Sequence, residues 1–132
     1  MTEPDEIIYL AGITDGEGTI TTLVNKYSHK HYIYPRFCIH MSERGALDIF
    51  ARLFGGNITS YQPKGPKYKL IYGYDVAGTN KVKIILEKIS PYLTVKRRQA
   101  NLTLDLIRLL NTKAPFEQVS ALSAQIRSLN DH

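Results

Sequence analysis

The chain has 132 residues, 43% of them hydrophobic and 22% charged, with a net charge of +5 and a pI near 9.3. That is enough for one compact domain, 1–132, and too little for two. No apolar run approaches the ~18 residues of a membrane span, and the opening MTEPDE is acidic and polar, unlike a signal peptide. The single cysteine, Cys38, excludes an internal disulfide and a multi-cysteine zinc site. It reads as a small buried hydrophobe rather than a nucleophile and fits an intracellular setting (cytoplasm, nucleoid or organelle) and not a secreted one.

The basic charge is unevenly spread. Residues 18–42 and 57–74 hold Lys26, Lys30, Arg36, Lys64, Lys67 and Lys69, no acid, and seven of the nine tyrosines. A one-signed surface interleaved with aromatics is what a polyanion-binding face looks like, although solvated strands that lack acids have the same composition.

In chain order, Pro4 and the acids Asp5 and Glu6 suit a helix start and predict a helix from about Asp5 to Thr14. Ile7, Ile8, Leu10, Ala11 and Ile13 make it apolar on more than one side, and Asp15-Gly16-Glu17-Gly18 offers a sharp exit. Thr19 to Asn25 reads as a strand and 26–31 as a turn. Tyr32 to Met41 reads as an alternating strand in which Pro35 favours an edge or a bulge. Ser42 can cap a second helix carrying Leu47, Phe50 and Leu53, stopped by Gly55-Gly56. A hairpin over Asn57–Gln62 and Tyr68–Val76 turns at 63–66. Thr79 can cap a third helix ended by Pro91, Thr94 opens a fourth, and Pro115 opens a fifth. The expected architecture is an α+β domain: an αββαββα core, an antiparallel sheet with helices on one face, and additional C-terminal helices. The other sheet face is left free.

The first candidate for chemistry is the segment 10–18. Gly12 and Gly16 lie four apart and share a helix face, and a helical glycine costs about 1 kcal/mol against alanine. Two of them predict close approach of another helix. Asp15 and Glu17 flank the exit, where carbonyls and carboxylates suit a hard divalent cation, although the same four residues on their own also describe a solvated turn. No P-loop, Gly-x-Ser-x-Gly elbow, dinucleotide fingerprint or His-Glu-x-x-His pair is present.

The stretch Leu10-Ala11-Gly12-Ile13-Thr14-Asp15-Gly16-Glu17-Gly18 resembles the signature of the LAGLIDADG homing endonucleases, sharing Leu10, Ala11, Gly12, Asp15 and Gly18 with it. The element order after it, Pro91-Tyr92-Leu93 and the run Lys96 to Leu102 extend the resemblance over nearly the whole chain. One motif in the chain resembles the single-motif, homodimeric type. The resemblance implies a saddle-shaped sheet in the DNA major groove and first helices of two subunits packed together. It also implies an intron-encoded enzyme that cuts both strands of a long pseudo-palindromic DNA site. A two-fold dimer supplies two reactive centres for that task.

Carried over by position, Glu17 is the metal-binding acid, as Glu where the family's name has Asp, and Gly16 offers a carbonyl to the metal. The expected metal is Mg²⁺, the usual hard cation, with Mn²⁺ able to substitute. Two such carboxylates near a dimer axis repel by about 4 kcal/mol at roughly 4 Å and an effective dielectric near 20, which a cation relieves. Lys96 matches the family's basic residue near the scissile phosphate and is expected to be catalytic with Glu17. Ala11, Gly12, Asp15 and Gly16 are expected at the dimer contact, Asp15 with a structural role at the helix end. Near the end of the second strand, where a polar residue is expected, this chain has His40 and Met41.

Strand alternation assigns Thr19, Thr21, Leu23, Asn25 and Tyr27, then Tyr32, Tyr34, Arg36, Cys38 and His40, to the DNA-facing side. On the hairpin Thr59, Tyr61, Lys67, Lys69 and Asp75 join them. A register slip by one residue would swap the faces. Two other readings stand beside the nuclease: a DNA- or RNA-binding splicing factor (maturase) on the same scaffold, the one case in which RNA is a partner, and an unrelated α+β dimer.

Overall fold

A computed structural model describes residues 1–131 of the protein. The elements are α1 (Glu3–Glu17), β1 (Gly18–Tyr27), β2 (Lys30–Met41), α2 (Gly45–Phe54), β3 (Ile58–Tyr61), β4 (Ile71–Ala77), α3 (Thr79–Ile89), α4 (Arg97–Asn111) and α5 (Phe116–Asn130). A 3₁₀ turn, Ser90–Tyr92, links α3 to the approach of α4. The strands form one antiparallel open sheet in the order β1-β2-β4-β3. The expected α+β class and element order are observed. Among the described residues no helix is long and apolar enough to cross a membrane.

α1 is longer at both ends than expected. Thr2 caps it through a reciprocal box: its Oγ1 accepts from the Asp5 backbone N–H at 3.3 Å, and the Asp5 carboxylate accepts from the Thr2 N–H at 3.4 Å. At the other end the helix runs through Asp15-Gly16-Glu17, so these residues form its last turn and not an exit loop. The chain leaves at Gly18, whose extended backbone passes so close to α1 that a Cβ there would stand 2.9 Å from the Thr14 carbonyl oxygen. Glycine is required at 18 by that close approach.

β1 and β2 form a longer ribbon than the sequence suggested, closing on Tyr27↔Lys30 through Ser28 and His29. Both of these have positive φ, 49° and 68°. Two left-handed residues in a two-residue loop match the right-handed twist of the flanking strands, which extends pairing into the segment expected to be a turn. Pro35 lies in neither an edge strand nor a bulge. It pairs with Thr22 on β1, and on its other side β4 has already ended at Ala77. Its carbonyl accepts from the Gly78 N–H at 3.1 Å. Since N and O of one strand residue point the same way, the missing proline N–H falls where no strand is paired.

Three helix starts differ from expectation. α2 begins after Arg44 rather than at Ser42, and α3 follows Gly78, both without a side-chain cap. α4 starts at Arg97, three residues beyond Thr94, and it too has no side-chain cap. β4 begins at Ile71, so 62–70 is a longer connection than expected.

All helices pack on one sheet face. Ile20, Phe37, Ile39 and Tyr74 point into a core with Leu10, Leu47, Phe50, Ile85, Leu86 and Ile89, all at most 1% exposed. Burying each such side chain contributes ~1.5–3 kcal/mol. A second cluster, Ile33, Leu106, Val119 and Ile126, fastens α4 and α5 beneath the β1–β2 ribbon. Thr22 and Ser123 share a hydrogen bond at 2.5 Å and Asn130 donates to the Ile20 carbonyl at 2.8 Å, tying α5 to β1. The opposite sheet face carries no helix.

Candidate nucleic-acid interface and active centre

The register fixes which side chains occupy the free face. Thr19↔Cys38, Thr21↔Arg36, Leu23↔Tyr34 and Asn25↔Tyr32 pair across β1 and β2. Cys38↔Asp75 and His40↔Gly73 pair across β2 and β4, and Thr59↔Gly73 and Tyr61↔Ile71 across β4 and β3. Opposed residues share a face, so Thr19, Thr21, Leu23, Asn25, Tyr27, Tyr32, Tyr34, Arg36, His40, Thr59, Tyr61 and Asp75 all stand on the side away from the core. Asn25, Tyr27, Tyr32, His40, Thr59, Tyr61 and Asp75 are exposed, and the others are half-buried.

Three residues assigned to this face are placed otherwise. Cys38 lies on it but is only 6% exposed, beneath neighbours that include Arg36, Asp75 and Thr19. Burial pushes its thiol up from the ordinary range, which suits neither a groove contact nor a nucleophile. Lys67 and Lys69 are not on strand β4 but in the connection 62–70, beyond the paired sheet, where both are exposed. Their charges flank the face instead of forming part of it.

His40 and Met41 divide between the two sides. Met41 is half-buried and packs against the core. His40 stands on the free face, over Gly73: a Cβ at Gly73 would meet the His40 ring at 2.9 Å and Thr59 Oγ1 at 3.1 Å. Because Gly18 pairs with Ile39, the His40 end of β2 adjoins the C-terminus of α1.

That C-terminus gathers the residues singled out for chemistry. Glu17 is exposed, and the four ion pairs among the described residues leave it out. The carbonyls of this last turn have no later helical N–H to accept from, and Thr14's is met by the backbone N–H of Gly18, the first residue beyond the helix. Lys96 donates from Nζ to two of them, Thr14 at 3.1 Å and Asp15 at 2.9 Å. A cation at the negative end of a helix dipole is favourable. Its ammonium is therefore held against the turn that carries Glu17.

Asp15 has the structural role expected of it at the helix end, with partners that the sequence did not disclose. Its carboxylate accepts the backbone N–H groups of Thr94, Val95 and Lys96 at 2.8, 3.0 and 2.9 Å. It thus holds the turn 94–96 that leads into α4, which places the start of that helix at Arg97. Its carboxylate is thereby engaged within its own chain, and Ala11, expected with it at a subunit contact, is 0% exposed in the core. Gly12 and Gly16 are exposed, and a Cβ at either would meet nothing within 4 Å. Neither glycine is required by anything in its own chain.

Among the described residues no group of three or more His, Cys, Asp and Glu side chains could hold a metal ion. One chain offers the Glu17 carboxylate and last-turn carbonyls: hard oxygen donors of the right kind, but half a coordination set.

No family model matches the chain, and no curated protein matches it. Solved structures do. The homing endonuclease I-CvuI, in complex with its target in the presence of calcium, is 27% identical, covers 98% of this chain and 84% of its own, and superposes with a TM-score of 0.79. The archaeal intron-encoded homing endonuclease I-Vdi141I, complexed with DNA, gives 19% identity, 98% and 87% coverage and a TM-score of 0.79. The LAGLIDADG homing endonuclease I-GzeII, in complex with a DNA target, gives 21% identity, 93% and 43% coverage and 0.67. Below 25% identity such a likeness shows the fold, which here coincides with the motif at 10–18. The fold is thus that of the LAGLIDADG homing endonucleases, and it carries the segment 10–18 that resembles their signature.

Proposed function

We propose that the protein is a site-specific, metal-dependent DNA endonuclease that acts as a homodimer on a long pseudo-palindromic site. The observation that carries the proposal is the exposed, unpaired carboxylate of Glu17 where α1 meets the helix-free sheet face. The sheet face offers tyrosines, hydroxyls, an asparagine and an arginine, side chains of the kinds that hydrogen-bond base edges in a major groove. Lys67 and Lys69, exposed on the connection 62–70, are available to meet phosphates. The open glycine stripe at Gly12 and Gly16 lets a second α1 approach, which brings two Glu17 carboxylates together.

Glu17 and the Gly16 carbonyl are the residues that would hold Mg²⁺, or Mn²⁺ in its place, with the remaining donors from the second subunit and the DNA. When bound, such an ion lowers the pKa of a coordinated water and neutralises charge on the phosphate. The chain's own contribution is geometric and electrostatic. Lys96 holds the last turn of α1 in place and keeps a positive charge beside it. His40, exposed at the adjoining end of β2, is the side chain on the free face with proton-accepting capacity closest in register to Glu17.

The test is cleavage of a randomised duplex library with Mg²⁺ beside an EDTA control, for the native protein and for Glu17→Gln. Cuts concentrated at one long, roughly palindromic site, absent with EDTA and absent for the variant while binding persists, are expected. A fully active Glu17→Gln protein would remove Glu17 from the mechanism. Selective binding of one duplex or a structured RNA without any cut would favour the splicing factor.

A further inference from the structure

We infer that Arg36 and Asp75 act as one unit that reads guanine, so that each half of the DNA site carries a G·C pair opposite this point of the sheet. The inference rests on the proposed use of the free face for DNA.

The two residues sit on the two central strands, on the face without helices. Their register is diagonal: Arg36 is opposite Ala77 and Asp75 is opposite Cys38. Both opposing side chains are small, which leaves room for the long pair to meet across the strands. Arg36 Nε donates to Asp75 Oδ1 at 3.0 Å, and Nη2 donates to Oδ2.

This side-on pairing decides what remains. A guanidinium has five N–H donors in a fixed plane. The carboxylate uses Nε–H and one hydrogen of Nη2. Both hydrogens of Nη1 and the second of Nη2 are left as a two-pronged fork on the far edge. The side chains of Arg36 and Asp75 are 30% and 44% exposed, so this edge is open to a ligand. Two parallel donors match the N7 and O6 acceptors of guanine in the major groove. Adenine presents an acceptor beside a donor there and cannot satisfy both prongs.

The pair has no comparable part in holding the fold, since ion pairs this exposed contribute little to stability. What it does provide is orientation. Arginine alone samples many rotamers, and a carboxylate gripping its inner edge removes that freedom before binding, which sharpens discrimination. Asp75 is held below the usual carboxylate range, chiefly by its hydrogen bonds from Arg36, so it stays ionised and the grip persists at neutral pH. Asp75 is thereby a positioning residue and Arg36 the reading residue. The pair is neutral as a whole, so its contribution is separable from phosphate attraction, which depends on net positive charge.

The experiment is selection of bound duplexes from a randomised library without divalent metal, using the Glu17→Gln background so that no duplex is lost by cutting. Asp75→Asn, Arg36→Ala and Arg36→Lys are compared with that background. One guanine position in each half-site is expected. Arg36→Ala and Arg36→Lys should flatten that position alone, the lysine keeping the charge but lacking the fork. Asp75→Asn should lower the guanine preference there about tenfold with the other positions unchanged. A guanine preference that survives Asp75→Asn intact, or no position that depends on Arg36, overturns the unit while leaving the DNA face standing. Selection of no sequence by the background protein overturns the DNA face and the unit together.

Discussion

Asp15 and Lys96 hold each other at both ends: the Asp15 carboxylate accepts the Lys96 backbone N–H at 2.9 Å, and the Lys96 ammonium donates to the Asp15 carbonyl at 2.9 Å. The C-terminus of α1, which carries Glu17, is thereby fixed to the N-terminus of α4. Asp15→Ala leaves three N–H groups at the start of α4 without their charged acceptor. The expected loss is about 2 kcal/mol, visible as a lower urea midpoint with unchanged slope. Lys96→Met should cost less, about 0.5–1 kcal/mol, because the carbonyls it leaves can turn to water. A neutral Asp15→Ala would mean that the bonds to 94–96 do not form in solution.

Gly12 is exposed on α1 with open space where a Cβ would stand. Gly12→Leu should therefore leave the fold of the monomer intact, and removing a helical glycine can raise its stability by up to about 1 kcal/mol. Helix-to-helix approach in a dimer should fail, since the added side chain occupies the space of the second backbone. Sedimentation should show monomers for Gly12→Leu while thermal unfolding stays cooperative. An unchanged dimer would place the subunit contact elsewhere.

What could be read in advance follows from how local each cause is. The motif at 10–18 and the period-two alternation of 19–41 are local signals, and they assigned the free face down to single residues such as Tyr32 and Arg36. Helix starts set by a distant group were not legible. α4 begins at Arg97 after a turn, 94–96, whose N–H groups Asp15 holds, and nothing near Thr94 encodes that. Cys38 alternates correctly yet is covered by its neighbours, so periodicity assigned its face but not its exposure. The Arg36–Asp75 pair needed the β2–β4 register, which the residues of neither strand disclose alone. The ribbon closing through Ser28 and His29 defeated the usual glycine–asparagine cue for a left-handed loop.

Salt separates the flanking charges from the reading ones. Affinity for duplex should fall linearly on a log–log scale with added salt if basic residues displace counterions. Lys67 and Lys69 are exposed and form none of the ion pairs found among the described residues. Replacing either with alanine should lower the slope by about one where that lysine meets a phosphate. Arg36→Ala should change it less, because Asp75 already balances that charge. Fluorescence anisotropy at several ionic strengths gives the slopes, and a flat response for the native protein would mean that this face does not bind nucleic acid.

Tyr74 makes the stability of the fold sensitive to alkali. Its ring is 0% exposed and stacks on Phe50 at 5.3 Å, and its hydroxyl donates to the Gly55 carbonyl at 2.7 Å. Burial pushes the phenol from 10.0 up to about 12. The folded chain therefore keeps this proton at a pH where the unfolded chain releases it. The stability linked to Tyr74 is complete below pH ~10 and is lost as the pH rises through about 12, by roughly 2–3 kcal/mol in all. Tyr74→Phe should lose about 1 kcal/mol at neutral pH with its hydrogen bond, yet show a shallower decline between pH 10 and 12. Urea midpoints across that window, native against variant, make the comparison. Parallel curves would show that Tyr74 ionises as freely in the folded chain as in the unfolded one, and would put the alkaline weakness in other residues.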